Sequence, residues 1–429
     1  MKRLTLTGLL ISITCSLLAQ SADKILNAKE VERIESKLSS DEMRGRRAFT
    51  PDIDRAADFI ADEFKKAGLQ TWNNSGSYRQ EFSMIRPKQL SISGTADDKS
   101  LDDKNLVVFS CKPELKVDSK AGYEVVSIPA GLNLNREVNK FLRPGKNLLI
   151  LVNSSYASNF GNLANLKRRG WFRFDKDVIC LLADTEPQTL QVEMKQEITE
   201  QKLANVVGVL PGKSKKDEYV IFSGHYDHLG VTNKPVNGDS IYNGANDDAA
   251  GTTAVIMLAK YFKTLKNNER TIVFAAFTAE EVGGFGSQYF SQQFDPAKVI
   301  AMFNIEMIGT ESKWGKNSAY ITGYEKTDMG TILQKNLEGT GFTFYPDPYT
   351  DQNLFYRSDN ATLARLGVPA HTISTSKMDS EKYYHTQGDE ISTLDLANMA
   401  EIIKAIALSS TSIVAGKDTP SRVDTKQLR

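Results

Sequence analysis

The stretch Tyr219–Gly251, which reads YVIFSGHYDHLGVTNKPVNGDSIYNGANDDAAG, decides the fold of this chain. Its first four residues are apolar, a pattern typical of a strand that is buried on both faces in a parallel sheet. The polar residues GHYDH follow at the strand end, where open α/β sheets bind their ligands. Because side chains alternate along an extended segment, we expect His225 and Asp227 to point the same way, and Tyr226 and His228 to face elsewhere. A functional site is therefore predicted at this strand end.

Two adjacent acids form the next feature. A loop rich in Gly, Asn and Pro leads to Asp247 and Asp248, immediately before a predicted helix with Val255, Leu258 and Phe262 on one face. An acid in this position often caps the helix by accepting hydrogen bonds from its first N–H groups. A metal-binding role for Asp247 therefore requires partners elsewhere in the chain.

Three later segments supply such partners. The apolar run RTIVFAAF predicts a second buried strand, and it leads to Glu280 and Glu281, which repel each other unless positive charge lies nearby. The run VIAMFNIEM brings Glu306 to the end of a third strand, and the polar loop KYYHTQGDE contains His385. Histidine, aspartate and glutamate at successive strand ends suit Zn²⁺, which takes nitrogen and oxygen ligands.

Histidine is scarce in this sequence, which narrows the choice of ligands. The chain has 4 histidines. His371 lies in the apolar segment GVPAHTI and is expected to be structural. His225 and His385 each lie beside acids at a predicted strand or loop end, and these two are the candidate ligands.

Five segments together resemble a known family. In order and at similar spacing, GHYDHLG, NGANDDAAG, TAEEVGGFGS, FNIEMIG and YYHTQGD follow the pattern of the co-catalytic di-zinc aminopeptidases of metallopeptidase family 28. Relatives of that family include glutamate carboxypeptidase and the transferrin receptor. The segment SSDEMRGRRAFTP also resembles the start of many members. We therefore expect a three-layer α/β sandwich with a mainly parallel mixed sheet, the zinc-exopeptidase fold, interrupted by a β-rich inserted domain.

The resemblance implies a ligand set for two zinc ions. Carried over position by position, it assigns one zinc to His225, Asp247 and Glu306. It assigns the other zinc to Asp247, Glu281 and His385. Asp247 would bridge the two ions.

The resemblance also implies three catalytic roles. Glu280 matches the family's general base, and Tyr384 matches the tyrosine that helps to stabilise the oxyanion. Asp227 matches the acid behind His225, in agreement with the side-chain alternation described above.

Two departures from the family pattern concern the site. Glu306 stands where the family most often has aspartate, so an extra methylene has to be accommodated while the carboxylate is kept. The family's Ser-Asp-His segment reads Ser358, Asp359 and Asn360 here, and a role of that histidine is therefore not carried over to this chain.

The function implied is that of a secreted zinc aminopeptidase acting on peptide substrates. A glutaminyl cyclase would use a single zinc, whereas ligands for both metals are present here. A carboxypeptidase is a further alternative, because the resemblance fixes the metal chemistry better than the substrate. A catalytically silent binding module would be expected to lack metal ligands, and none is missing.

The charge composition bears on two classes of partner, nucleic acids and anionic membranes. The 429 residues include 53 basic and 53 acidic side chains, giving a formal net charge of zero. A balanced charge argues against a nucleic acid or an anionic membrane surface as partner.

The N-terminal segment Met1–Ala19 predicts a secretory signal peptide, with two basic residues followed by an apolar core. That apolar core is shorter than the segment that usually spans a membrane, and no other stretch predicts a transmembrane anchor. Cys15 raises the alternative of a lipoprotein, but Thr14 is a poor residue before a lipidated cysteine. We therefore expect a secreted or periplasmic protein.

The change from α/β-like to short β-like segments along the chain predicts its domain boundaries. Residues 20–85 and 202–416 are expected to form the zinc peptidase domain. Residues 86–201 consist of short β-like runs and predict an insert placed as the protease-associated domain is in relatives, with a lid and a structural role equally open. Residues 417–429 form a polar tail that is expected to fray.

Two cysteines remain after the predicted cleavage, in a compartment that permits disulfides. Cys111 and Cys180 both lie in apolar, strand-like runs, so buried free thiols are the alternative to a disulfide.

Overall fold

The computed structural model describes most of the chain. The described residues are 23–118, 122–142 and 145–428, without the side chain of Arg169. The predicted signal peptide Met1–Ala19 lies outside them. Across the described residues, no helix combines the length and the apolar content that crossing a bilayer requires.

The chain divides into two compact units. The first unit contains the described residues up to Glu81 and those from Leu203 onwards, and the second unit is Phe82–Lys202. Both boundaries fall within long strands, so the chain enters and leaves the second unit in extended conformation.

The α-helices of the described residues, numbered in chain order, are α1 Ala28–Leu38, α2 Asp52–Lys66, α3 Leu134–Asn139, α4 Ala250–Leu265, α5 Phe285–Ser291, α6 Met329–Asn336, α7 Asn360–Ala364, α8 Leu396–Ser409 and α9 Thr411–Val414. The strands are β1 Gln70–Thr71, β2 Arg79–Ala96, β3 Lys99–Leu101, β4 Leu106–Phe109, β5 Glu114–Val117, β6 Tyr123–Ile128, β7 Asn147–Val152, β8 Trp171–Phe172, β9 Val178–Leu182, β10 Leu190–Leu210, β11 Lys215–His225, β12 Gly230–Val236, β13 Asp239–Tyr242, β14 Arg270–Phe277, β15 Val299–Ile305, β16 Ser318–Ile321, β17 Thr343–Pro346 and β18 Ala370–Ser374.

A mixed sheet forms the centre of the first unit. Its strands lie in the order β17, β16, β18, β15, β11, β14 and β10, and β1 also pairs with β10. The central strand β11 is parallel to both β14 and β15, and β15 is parallel to β18. The pairs of β10 with β14 and of β16 with β18 are antiparallel. The prediction of a mainly parallel mixed sheet is confirmed.

Helices cover both faces of this sheet, because its central strands are apolar on both sides. On one face the ring of Phe222 stacks on Phe274, at 5.8 Å between centroids, and on Phe262 of α4, at 5.4 Å. On the other face Phe277 contacts Phe290 of α5 at 5.0 Å. The three-layer prediction is confirmed as well.

Parallel pairing aligns the ends of the central strands. In the register, His225 is the partner of Phe277 across β11 and β14, and Ser223 is the partner of Asn304 across β11 and β15. The polar residues that follow each of these strands therefore meet at the carboxyl edge of the sheet.

The second unit is rich in strands. A four-stranded sheet has the order β4, β9, β7 and β6, with β4 and β9 antiparallel and the other pairs parallel. Alternate residues of these strands enter different apolar clusters: Val107 and Cys180 belong to one, and Val108 and Ile179 to the other. Cys111 and Cys180 are both buried and unbonded, so the alternative of free thiols is the one observed.

The C-terminal tail is packed, and the prediction that it frays is wrong. Arg270 is buried in the first unit, and its Nη1 donates a hydrogen bond of 2.6 Å to the carbonyl of Asp418. Arg422 Nη1 donates to the carbonyl of Val299 at 2.8 Å, and Val423 is buried. Buried guanidinium donors require acceptors, and the tail backbone supplies one of them.

Candidate metal centre

The first ligand group consists of His225, Asp247 and Glu306. His225 is the last residue of β11, Asp247 lies in the turn before α4, and Glu306 directly follows β15. His225 Nε2 lies 3.1 Å from Asp247 Oδ1, and one ligand atom from each of the three residues lies within 4.8 Å of the others. The longer side chain of Glu306 thus reaches the same point as its partners.

The second predicted ligand group, Asp247, Glu281 and His385, also lies together, and the structure brings His228 to the same two acids. His385 Nε2 lies 3.2 Å from Asp247 Oδ2 and 3.1 Å from Glu281 Oε2. The side chains of Asp247 and Glu281 are 3% and 7% exposed, whereas that of His385 is 37% exposed. Asp247 therefore belongs to both groups: its Oδ1 lies next to His225, and its Oδ2 lies next to His385.

His228 also joins this centre, and the prediction that it faces elsewhere is wrong. Its Nδ1 lies 2.7 Å from Glu281 Oε1 and 4.0 Å from Asp247 Oδ2. Side-chain alternation does not apply because β11 ends at His225, and His228 instead forms an isolated bridge with Arg47. Gly244 leaves room for the imidazole, since a Cβ at this position would lie 2.6 Å from the ring carbons.

The donor atoms of these groups lack partners of their own. Among the described residues, no hydrogen-bond partner is found for a set of buried atoms comprising His225 Nε2, both ring nitrogens of His228, Asp247 Oδ2, Glu281 Oε1 and Glu306 Oε2. Buried polar atoms without partners are costly, and a cation among these oxygens and nitrogens would satisfy them. Imidazole and carboxylate donors fit zinc.

Asp248 and Asp389 were not predicted as site residues, but both accept hydrogen bonds from the backbone of the segments that carry the candidate ligands. Asp248 Oδ2 accepts a hydrogen bond from the His225 N–H at 3.1 Å, and its Oδ1 accepts those of Gly251 and Met307. Asp248 therefore accepts an N–H group of the first turn of α4, while Ala249 is the N-cap residue of this helix. Asp389 Oδ2 accepts the N–H of Asp247 at 3.0 Å and holds that turn in place.

Arg46 is a buried guanidinium that sequence reasoning missed as a site residue. It donates hydrogen bonds to the carbonyls of Leu38, Tyr226, Asn243 and Gly244 at 2.6–2.9 Å. These contacts tie the segment after α1 to the loops that carry the ligands. The only sequence signal was the segment SSDEMRGRRAFTP, which resembles the start of family members without indicating this role.

Asp227 lies beneath the acidic turn. The nearest contact of His225 Nδ1 is the backbone carbonyl of Asp227, at 3.1 Å, while the Asp227 carboxylate is 3.8 Å away. That carboxylate accepts the N–H groups of Glu280 and Glu281 at 3.0 and 3.4 Å. Asp227 thus contacts His225 mainly through its backbone and orients the two glutamates through its side chain.

A narrow pocket of about 50 Å³ adjoins the ligands. Glu280 and Tyr384 line it together with Asp247, Glu306 and His385. The Tyr384 ring stacks on His385 at 3.9 Å between centroids. The apolar part of the wall is formed by Met307, Tyr320, Leu354 and Met378.

The pKa values reflect burial and crowding of the acids. Burial raises the pKa of Asp227 to about 7, and it also raises that of Glu280. Burial acts in the same direction on Asp247, but the close imidazoles of His225 and His385 outweigh it and lower the pKa of this carboxyl. Asp247 and Glu281 raise the pKa of His385 to about 10. The cluster therefore attracts positive charge.

Two residues near the site have purely structural contacts. Both ring nitrogens of the buried His371 are hydrogen-bonded, Nδ1 with the carbonyl of Thr322 at 2.9 Å and Nε2 with Thr327 Oγ1 at 2.8 Å. Asn360, which replaces the family's histidine, donates to the carbonyl of Phe355 at 3.0 Å.

The first unit therefore has the architecture of metal-binding α/β proteins, in which imidazole and carboxylate groups lie together at one edge of a mixed sheet. Residues 205–409 match the sequence model of a protein family described as Peptidase family M28. The chain therefore carries a domain of that family.

Curated relatives match this chain over part of their length. It is 38% identical over 109 residues to a probable zinc metalloprotease of Pyrenophora teres f. teres, covering 25% of this chain and 23% of that protein. It is 28% identical over 213 residues to leucine aminopeptidase 1 of Emericella nidulans, covering 47% of this chain and 53% of the relative. The chain thus spans between about a quarter and about half of these relatives.

A solved structure matches nearly the whole chain. The aminopeptidase from Aneurinibacillus sp. strain AM-1 covers 95% of this chain and 98% of its own, with 17% identity and a TM-score of 0.54. At this level of identity the likeness shows the fold.

Proposed function

We propose that this protein is a zinc-dependent aminopeptidase that removes N-terminal residues from peptides. The observation that carries the proposal is the convergence of both ligand groups on Asp247, with Glu280 lining the same pocket. The M28 domain and the names of the relatives, a zinc metalloprotease and a leucine aminopeptidase, support the same chemistry.

Two zinc ions would be held by the two ligand groups, with Asp247 shared between them. His228 lies beside Glu281 and would orient this carboxylate or contribute a nitrogen of its own. Bound zinc would polarise the scissile carbonyl and lower the pKa of a water molecule.

Glu280 would act as the general base. It lines the pocket, and its backbone N–H is held by the Asp227 carboxylate, which fixes the turn that carries it. Its carboxylate would accept the proton of the attacking water and pass it to the leaving amine. Burial raises the pKa of Glu280, which favours its holding that proton between the two steps.

Tyr384 would stabilise the oxyanion. Its ring lines the pocket and stacks on His385, so its position depends on that residue. A phenol is a hydrogen-bond donor, and a donor placed where negative charge develops lowers the barrier.

A substrate panel tests the direction of cleavage. The zinc-loaded protein is offered aminoacyl substrates with a free or an N-acetylated amine, together with a C-terminally blocked peptide. We expect hydrolysis only when the amine is free, whether or not the C-terminus is blocked. Cleavage that requires a free C-terminus would establish the carboxypeptidase alternative, and cyclisation of an N-terminal glutamine would establish the cyclase.

We also propose export, based on the sequence of Met1–Ala19. N-terminal sequencing of the mature protein should give a start near Gln20, in the periplasm or the medium. Recovery of a lipid-modified Cys15 in the membrane fraction would contradict this proposal.

A further inference from the structure

The second unit contains a cavity of about 850 Å³, a volume typical of small-molecule sites. Its charged lining comprises five basic side chains and a single acidic one, namely Arg86, Lys88, Lys104, Lys167, Arg168 and Asp103. The whole chain has a formal net charge of zero, so this positive charge is a local concentration.

Lys167 is the buried member of this set. It is 5% exposed, and its Nζ donates a hydrogen bond of 2.8 Å to Gln89 Oε1, on another lining residue. The same Nζ lies 5.8 Å from the centroid of the Phe109 ring. No carboxylate lies within 4.0 Å of it among the residues that the structure describes. An ammonium group has three N–H donors, and neither an amide nor a ring neutralises its charge.

A buried cation without a countercharge is costly, and this cost lowers the pKa of the group. Burial lowers the pKa of Lys167 to about 8. An anion in the cavity would supply the missing countercharge and the missing acceptors.

The rim adds further positive charge. Lys88 is paired with Glu197 at 3.4 Å. For Arg86, Lys104 and Arg168, no such ion pair is found within the described part of the chain. One anionic group at Lys167 would therefore leave several cations at the rim available for a second group on the same molecule.

We propose that this cavity binds a small multivalent anion carrying carboxylate or phosphate groups. One anionic group contacts Lys167 Nζ at the base of the cavity, and the others contact the exposed guanidinium and ammonium groups at the rim. The cavity volume of about 850 Å³ limits the ligand to a small molecule. This site is independent of the metal centre and of the proposed peptidase activity.

Calorimetric titration of the full chain tests the proposal. The probes are tricarballylate, which carries only carboxylates, and glucose 1,6-bisphosphate, which carries phosphates. Lys167→Met keeps an unbranched side chain that is one atom shorter and removes the charge. Lys116→Met is the matched control, because Lys116 is an exposed lysine of the same unit that pairs with Glu193 at 3.3 Å.

We expect saturable binding of at least one probe, with one site per chain. Lys167→Met should weaken it by about tenfold or more, as loss of a charge-assisted contact implies, and Lys116→Met should leave it unchanged. Binding should also weaken as salt is added. The tighter probe identifies the ligand as a carboxylate or a phosphate.

Absence of saturable binding, or an equal loss in both variants, would overturn the proposal. If Lys167→Met does not fold, the exposed Arg168→Gln variant decides in its place, since its removal leaves the core untouched. Peptide hydrolysis should be unchanged in all three variants, so failure here is distinguishable from failure of the proposed peptidase function.

Discussion

The sharpest prediction concerns the adjacent acids Glu280 and Glu281, which we expect to have different tasks. Glu281 contacts two imidazoles, with Oε1 2.7 Å from His228 Nδ1 and Oε2 3.1 Å from His385 Nε2. Among the described residues, no imidazole lies within 4.0 Å of the Glu280 carboxylate. The Asp227 carboxylate holds the backbone N–H of both glutamates, so glutamine at either position leaves the turn intact.

Glu280→Gln should therefore abolish proton transfer while keeping the shape of the pocket. General acid–base catalysis contributes about 10²–10⁴-fold, so we expect turnover to fall by that factor, or roughly 3–5 kcal/mol of barrier. Zinc content and substrate affinity should remain close to those of the wild type.

Glu281→Gln should instead weaken metal binding. A neutral amide is a poorer zinc ligand than a carboxylate, and His385 and His228 would lose the negative charge between them. We expect the purified variant to contain less zinc, and its activity to recover partly when zinc is added in excess.

The assay pairs zinc content with turnover for each purified variant at saturating substrate. Glu338→Gln is the matched control, because Glu338 is an exposed glutamate of the same unit and should affect neither quantity. Metal loss in Glu280→Gln with full occupancy in Glu281→Gln would reverse the two assignments. Full zinc with turnover within tenfold of the wild type in Glu280→Gln would refute its role as the base.

Three other measurements test the site and its support. Two zinc ions per chain are expected by metal analysis, with activity lost on chelation; one tightly bound zinc with full activity would favour the cyclase alternative. Arg46→Met removes one donor from each of four buried carbonyls, and the carbonyl of Gly244 keeps a second donor, the N–H of Ala249. The free energy of unfolding in a denaturant titration should therefore fall by at least about 3 kcal/mol, and Arg46→Lys should lose less. Burial raises the pKa of Glu63, but its hydrogen bonds with Arg33, Lys260 and Lys66 outweigh this and lower it from 4.5 to about 2. The stability that this depressed pKa provides is present above pH 4.5 and is lost as the pH falls towards 2. Acid titration of unfolding should show this decline in the wild type and a smaller one in Glu63→Gln; identical curves would contradict the assignment.

The sequence alone determined the central sheet and most of the candidate ligands. Apolar runs such as RTIVFAAF predict buried strands because both of their faces must be covered, and parallel pairing then places the residues after each run at one edge. His225, Asp247 and Glu306 could be selected in this way, since each one directly follows or precedes a periodic element.

Only the tertiary structure decided which of the neighbouring polar residues join the centre. His228 enters it although it lies beyond the end of β11, because the period of a strand carries no information beyond its last residue. Arg46 and Asp389 hold the ligand loops through hydrogen bonds to backbone groups nearly 200 and more than 140 residues away, respectively. The packed tail likewise depends on the buried donors of Arg270. Local patterns report which side chains a segment buries, whereas these contacts depend on where distant backbone groups come to lie once the sheet has formed.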